Sequence, residues 1–143
     1  MSSQMFQPVP PAEAAPPASQ AMSVLDAQAL ARLTELDPGG ASQLFVRVMS
    51  TYRKSLARLV AQMALARAPF DADALRLATH TLKSSSGSIG ALSLAQLCGS
   101  AEAALHDGRL DELPGLLDAL LTEAARVDEA VKHLLLPTQP GPT

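Results

Sequence analysis

A histidine, a lysine and a run of small side chains form the most distinctive chemical grouping in this chain. The segment reads His80, Thr81, Leu82 and Lys83, followed by Ser84, Ser85, Ser86, Gly87 and Ser88. At roughly 100° per residue in a helix, His80 lies almost opposite the apolar face, which consists of Leu75, Ala78, Leu82, Ser85 and Ile89. We therefore expect an exposed imidazole, a group able to act as a nucleophile or as a metal ligand.

The neighbours of His80 on this outer face are two cations and two small residues. Arg76, Lys83, Ser84 and Gly87 lie about one or two turns away. Gly87 inside a helix costs about 1 kcal/mol relative to alanine. Two interpretations of the small residues remain open. In the first, they clear space for another protein to reach the imidazole, and the cations offset the negative charge that this protein brings. In the second, the small residues mark close helix packing and a turn at Gly90.

A carboxylate is expected beside the histidine. If the chain reverses at Gly90 and Ala91, residues equidistant from the turn come level on two antiparallel helices, and His80 lies level with Glu102. Such a carboxylate holds the ring proton on Nδ1 and leaves Nε2 with a free lone pair, the orientation needed for nucleophilic attack. The alternative is a solvated glutamate on a helix flank.

The elements that carry these residues are predicted to be helices. Apolar residues recur every three or four positions in five segments: a first helix capped by Ser23 and bearing Leu25, Leu30, Leu33 and Leu36, then Ala41 to Ala68, Asp71 or Asp73 to Gly90, Leu92 to Asp107, and Asp111 to Leu136. Short loops between long amphipathic helices favour an antiparallel bundle. The predicted fold is all-α: an antiparallel four-helix bundle with an extra N-terminal capping helix.

The distribution of proline along the chain indicates where this domain begins and ends. The chain has 143 residues, of which 48% are hydrophobic and 3% aromatic, as expected for one domain of closely packed helices. Of its 11 prolines, five fall in residues 8–17 and three in residues 137–142. We expect disordered tails at 1–21 and 137–143 and a bundle domain at 22–136.

Charge and cysteine usage exclude several classes of function. The net charge of −3 leaves no excess positive charge for general nucleic-acid binding. The single cysteine, Cys98, forms no intrachain disulfide, and no zinc-like cluster accompanies it. The first twenty residues lack the basic region of a secretory signal, and no apolar run reaches membrane-spanning length. We expect a cytoplasmic, metal-free monomer without a membrane segment.

The stretch from His80 to Ala91 resembles the signature of histidine phosphotransfer (HPt) domains, H-x-[LI]-K-[GA]-[SA]-[SA]-x-x-x-G. His80, Leu82, Lys83, Ser85, Ser86 and Gly90 all fall on motif positions. The departure is Ser84, where the family usually has glycine; access to the histidine should survive, while docking of some partners is expected to change.

The resemblance implies a carrier of phosphoryl groups in bacterial two-component phosphorelays. It assigns His80 as phosphoacceptor, Lys83 as the residue that stabilises phosphoryl charge, Glu102 as the ring-orienting acceptor, and Gly87 and Gly90 as clearance and turn glycines; Arg76 is added from helix spacing alone. The implied partners are receiver domains and a hybrid histidine kinase.

The resemblance also implies that the chain needs no cofactor of its own, because the receiver brings Mg²⁺ and the acidic pocket. No residues remain for an ATP-binding kinase domain, so we expect a free-standing carrier without ATP-dependent kinase activity. Receivers typically dock through an apolar patch beside the histidine, which Ala91, Leu92 and the helix from Ala41 to Ala68 are expected to supply.

Other functions remain as alternatives. A degenerate, regulatory HPt-like protein would bind a receiver without carrying phosphate, although the presence of both His80 and Lys83 argues against it. A metal or haem site would use His80, His106 and Cys98, yet the sequence has no pair of strong ligands at helical spacing and Cys98 is expected in the core. No Ser/His/Asp set, paired carboxylates or phosphate-binding loop indicates a hydrolase or an ATP-dependent transferase.

Overall fold

The regular structure in the described part of the chain is helical. The computed structural model describes residues 24–40 and 43–135. It contains five α-helices, α1 (Ala27–Glu35), α2 (Leu44–Arg67), α3 (Ala72–Ile89), α4 (Leu92–Asp107) and α5 (Leu113–Leu135), with a short 3₁₀ turn at Pro38–Gly40. The predicted tails, 1–21 and 137–143, lie outside the described residues, as does Ser23.

Helices α2 to α5 form the predicted antiparallel four-helix bundle. Each packs against its two neighbours, with α2 beside α3, α3 beside α4, α4 beside α5, and α5 closing against α2. Helix α1 covers the α3–α4 turn, where the Asp26 backbone N–H donates to the Gly90 carbonyl at 2.8 Å. The expected capping helix is therefore present. None of the described helices is long and apolar enough to span a membrane.

The core consists mainly of aliphatic and small side chains contributed by all four long helices. Among its fully buried members are Met49, Met63, Leu75, Leu82, Leu94, Cys98, Leu120, Val127 and Val131. Alanines fill the remaining close approaches between helices, including Ala78, Ala101, Ala104 and Ala124. This packing immobilises the backbones of α3 and α4, which carry His80 and Glu102.

Asp71 and Gly90 set the limits of the histidine-bearing helix. The Asp71 side chain accepts a hydrogen bond from the Ala74 N–H and so caps the first turn of α3. Gly90 ends the helix with φ +88°, a left-handed conformation that L side chains rarely adopt. Between these two ends α3 is a continuous helix, so the directions in which His80 and Lys83 project follow from the helical repeat.

Three details of the sequence prediction are wrong. The cap of α1 is Asp26, whose carboxylate accepts from the Ala29 N–H, rather than Ser23. Leu36 lies beyond the end of α1 and is 69% exposed instead of packed inward. On α3 the fully buried serine is Ser86, while Ser85 is half-buried. The inward face of α3 thus runs through Leu82, Ser86 and Ile89.

Candidate functional site

His80 projects from the middle of α3 into solvent. Its side chain is 63% exposed, and its Nδ1 atom lies 2.9 Å from Oε2 of Glu102 on α4. The two residues meet because α3 and α4 are antiparallel about the Gly90 turn, which brings them level. The structure therefore places this pair as the counting of residues from the turn predicts.

Glu102 joins His80 to Lys83. Its Oε2 atom contacts the imidazole, and its Oε1 atom lies 2.7 Å from the Lys83 ammonium nitrogen. The hydrogen bond from Lys83, supported by the one from His80, lowers the pKa of the Glu102 carboxyl below its ordinary value. An ionised carboxylate only accepts hydrogen bonds, so Nδ1 of His80 donates the proton. In the neutral ring, Nε2 then holds a lone pair facing solvent.

The Lys83–Glu102 contact is a feature that sequence reasoning missed. The family resemblance implies that Lys83 lies beside the phosphoryl group, but its ammonium is paired with Glu102 in this structure. The same counting from the turn contained the signal, because Lys83 lies level with Gly99, one helical turn before Glu102. A Cβ atom built on Gly99 would lie 3.6 Å from Cδ of Lys83, so the lysine stem runs directly along α4.

Gly87 distinguishes between the two interpretations of the small-residue run. A Cβ atom added at Gly87 would meet no atom within 4 Å. Packing inside the domain therefore does not require glycine at this position, although alanine would favour the helix. Ser84, one turn before Ser88 on the outer face, is also exposed. Because Ser84 and Gly87 are small, open space remains beside His80, where another molecule can approach.

Comparison with known proteins agrees with this geometry. The family model described as the Hpt domain matches residues 47–130, a range that includes every predicted site residue. The chain belongs to the Hpt domain family. Its role is therefore in histidine phosphotransfer within phosphorelays, where Hpt domains interact with receiver domains and kinases.

A solved relative of this Hpt domain has the same fold. The crystal structure of histidine-containing phosphotransfer protein B from Pseudomonas aeruginosa superposes with a TM-score of 0.71 at 27% sequence identity, and the match covers 78% of this chain and 94% of that one. No curated protein matches the chain significantly in sequence.

Gly90 and Ala91 lie inside the Hpt domain rather than on its surface. Gly90 is buried under α1, where an added Cβ would approach the Ala29 Cβ to 2.8 Å. Ala91, expected in the apolar patch, is fully buried because α1 covers the turn. Leu92, at 52% exposure, is the exposed large apolar side chain beside this turn, while Leu77, at 69%, lies on α3 three residues before His80. Ala91 is therefore unable to contribute to the expected patch, whereas Leu92 is exposed, as that prediction requires.

Arg76 makes a local ion pair on α3. Its guanidinium lies 2.7 Å from the carboxylate of Asp73, three residues earlier. It is not joined to His80 or Glu102 by a hydrogen bond in the described structure. Its predicted binding role therefore requires the side chain to leave an exposed pair, and such pairs contribute little stability.

A buried polar layer lies beneath the histidine helix. The Tyr52 hydroxyl on α2 and the Ser86 hydroxyl on α3 share a hydrogen bond of 2.8 Å. Burial raises the pKa of Tyr52 to about 12 and that of Cys98 to about 12, so both side chains remain protonated at neutral pH. Sequence reasoning missed this layer, since the periodicity marked Tyr52 only as a core residue.

The side chains of the metal-site alternative are not grouped together. Cys98 is fully buried as a thiol, whereas His106 is exposed on α4. Among the described residues, no group of three His, Cys, Asp or Glu side chains has an arrangement able to hold a metal ion.

A groove between two of the long helices does not include the histidine. It has a volume of about 640 Å³ and lies between α2 and α5, and the residues that line it include Ser50, Lys54, Val60, Leu121 and Asp128. The His80 imidazole instead lies on the outer, solvent-exposed side of α3. Such a surface suits a reactant that is presented by another protein.

Proposed function

We propose that Nε2 of His80 accepts a phosphoryl group from the aspartyl phosphate of one receiver domain and passes it to the aspartate of another. The observation that carries this proposal is the exposed imidazole whose Nδ1 is held by an ionised Glu102 carboxylate. This arrangement leaves Nε2 as the nucleophilic atom and points it to the surface.

The reaction is a reversible displacement at phosphorus. The Nε2 lone pair forms the new N–P bond while the bond from phosphorus to the aspartyl oxygen breaks, and the electron pair leaves with the aspartate carboxylate. The Nδ1 proton stays between His80 and Glu102 throughout, so no separate general base is needed. Transfer onward is the same step in reverse, with the aspartate of the second receiver as nucleophile. Positioning and charge stabilisation then account for most of the catalysis.

Lys83 supplies positive charge next to the reacting ring. Its ammonium is separated from the imidazole by a single carboxylate, and its side chain is 42% exposed. We assign it to the equatorial phosphoryl oxygens, which it reaches by leaving Oε1 of Glu102. The remaining electrostatic stabilisation, including Mg²⁺, belongs to the receiver, and the Hpt domain requires no cofactor of its own.

The decisive experiment is transfer of radiolabel from ATP through hybrid histidine kinases and receivers to this protein. His80→Gln is the test variant, and His106→Gln, which removes another exposed histidine, is the matched control. We expect acid-labile, base-stable label on the wild type and on His106→Gln and none on His80→Gln. Label that persists in His80→Gln overturns the assignment, and tight receiver binding without any label indicates a regulatory protein instead.

A further inference from the structure

Helix α2 carries positive charge that the rest of the domain does not neutralise. Between Leu44 and Arg67 it has five cations and no acidic residue. Arg53 pairs with Asp128 and Arg67 with Asp118, both on α5. The side chains of the other three, Arg47, Lys54 and Arg58, make no ion pair or hydrogen bond with any residue of the described structure. These three residues form the basic strip of α2.

The basic strip lies on one outer face of α2. At roughly 100° per residue its members fall within about 40° of one another around the helix. All three are exposed, while Met49, Tyr52, Leu56, Leu59, Met63 and Ala66 face the core. The whole chain has a net charge of −3, so the strip is a local positive surface on an acidic protein.

The Tyr52–Ser86 hydrogen bond shows where the strip lies relative to the phosphoacceptor. This bond of 2.8 Å sets the register of the antiparallel helices α2 and α3. Counting away from it in opposite directions places Arg58 level with His80, Lys54 level with Ser84, and Arg47 level with the end of α3. The strip therefore runs alongside the same length of bundle as the histidine motif.

We infer that the basic strip is the electrostatic docking surface for the acidic face of the protein that exchanges phosphoryl groups with His80. This inference rests on the proposed function. A protein that presents an aspartyl phosphate brings negative charge to the contact. Lys83, beside the ring, is already paired with Glu102, so the three cations of the basic strip add unpaired positive charge along the bundle. Oppositely charged surfaces orient such encounters and raise association rates by roughly tenfold to a thousandfold.

Paired charge reversals test this surface. Lys54→Glu with Arg58→Glu removes the half of the strip level with the histidine, and Arg109→Glu with Lys132→Glu changes the net charge equally on the α4–α5 loop and α5. The label donor is a purified receiver domain that has been phosphorylated with radiolabelled acetyl phosphate. Transfer to each variant and to the wild type is measured in reactions quenched at set times, at several salt concentrations. Circular dichroism melting checks that all three proteins are folded.

We expect the strip variant to lose about tenfold or more in kcat/KM at low salt, while the transfer rate at saturating receiver stays unchanged. The loss should shrink at high salt, because the Debye length falls to about 3 Å at 1 M. A variant with Lys54→Arg alone keeps the charge and should transfer like the wild type. The control reversal should change kcat/KM far less than the strip reversal.

Three results overturn the inference while leaving the proposed function intact. The first is that the wild type and the strip variant have equal kcat/KM at all salt concentrations. The second is an equal loss in the strip and control variants, which would reflect net charge alone. The third is strip-dependent binding of duplex DNA or anionic vesicles without any effect on transfer. A wild type that takes no label from any receiver contradicts the proposed function itself.

Discussion

Replacing Gly87 by alanine is expected to stabilise the Hpt domain and impair it at the same time. Gly87 lies within the helix Ala72–Ile89, and an added Cβ meets no atom within 4 Å. The methyl group therefore causes no clash, and the backbone entropy saved stabilises the helix by about 0.5–1 kcal/mol. For a domain of this size the melting temperature should rise by roughly 2–5 °C.

The same methyl group occupies space beside His80 that a docking receiver needs. A displacement of the partner by about 1 Å is enough to cost up to a hundredfold in rate, so we expect kcat/KM for transfer to fall roughly tenfold or more. Urea unfolding measures the first effect, and label transfer from a phosphorylated receiver measures the second. The opposite signs of the two effects separate docking from folding.

Gly115→Ala is the matched control for this prediction. Gly115 is helical, exposed and equally free of contacts around a built Cβ, but it lies in the first turn of α5. Its replacement should raise stability without changing transfer. If Gly87→Ala gains stability and transfers at the wild-type rate, the clearance argument is refuted; if it loses stability, the assignment of open space around Gly87 is wrong.

The remaining predictions concern the residues around and beneath the imidazole. Lys83→Ala should slow transfer without lowering the melting temperature by more than about 5 °C, because an exposed ion pair contributes only about 0–1 kcal/mol; an unchanged transfer rate removes Lys83 from the mechanism. The folded pKa of Glu102 lies below its unfolded value, so its stabilising contribution is complete above the unfolded pKa of about 4.3 and is lost as the pH falls through the folded pKa. Glu102→Gln should therefore flatten the stability profile in this acidic range, as followed by urea unfolding at several pH values, and a profile identical to that of the wild type contradicts the pairing. Ser86→Ala leaves the buried Tyr52 hydroxyl without its partner and should cost about 1–3 kcal/mol, whereas adding Tyr52→Phe should recover most of that loss; a double variant as unstable as the single one shows that the hydrogen bond is not the cause.

The local features of this protein are determined by its sequence alone. Helix identity follows from apolar residues at spacings of three and four, and the helix ends follow from Pro69, Gly90 and Gly108. Both depend on backbone preferences and on periodicity within a single segment. The sequence also determines that His80 projects outward and lies opposite Glu102, because a single tight turn joins the two helices that carry them.

The tertiary structure decided the contacts between segments and the final rotation of each helix. The Tyr52–Ser86 hydrogen bond joins residues 34 positions apart, and it sets both the register of the basic strip and the choice of Ser86 over Ser85 as the buried serine. The second carboxylate oxygen of Glu102 pairs with Lys83 because the lysine stem runs along α4 past Gly99. Such contacts depend on shifts of a few ångströms between packed helices, and the periodicity of a single helix carries no information about those shifts.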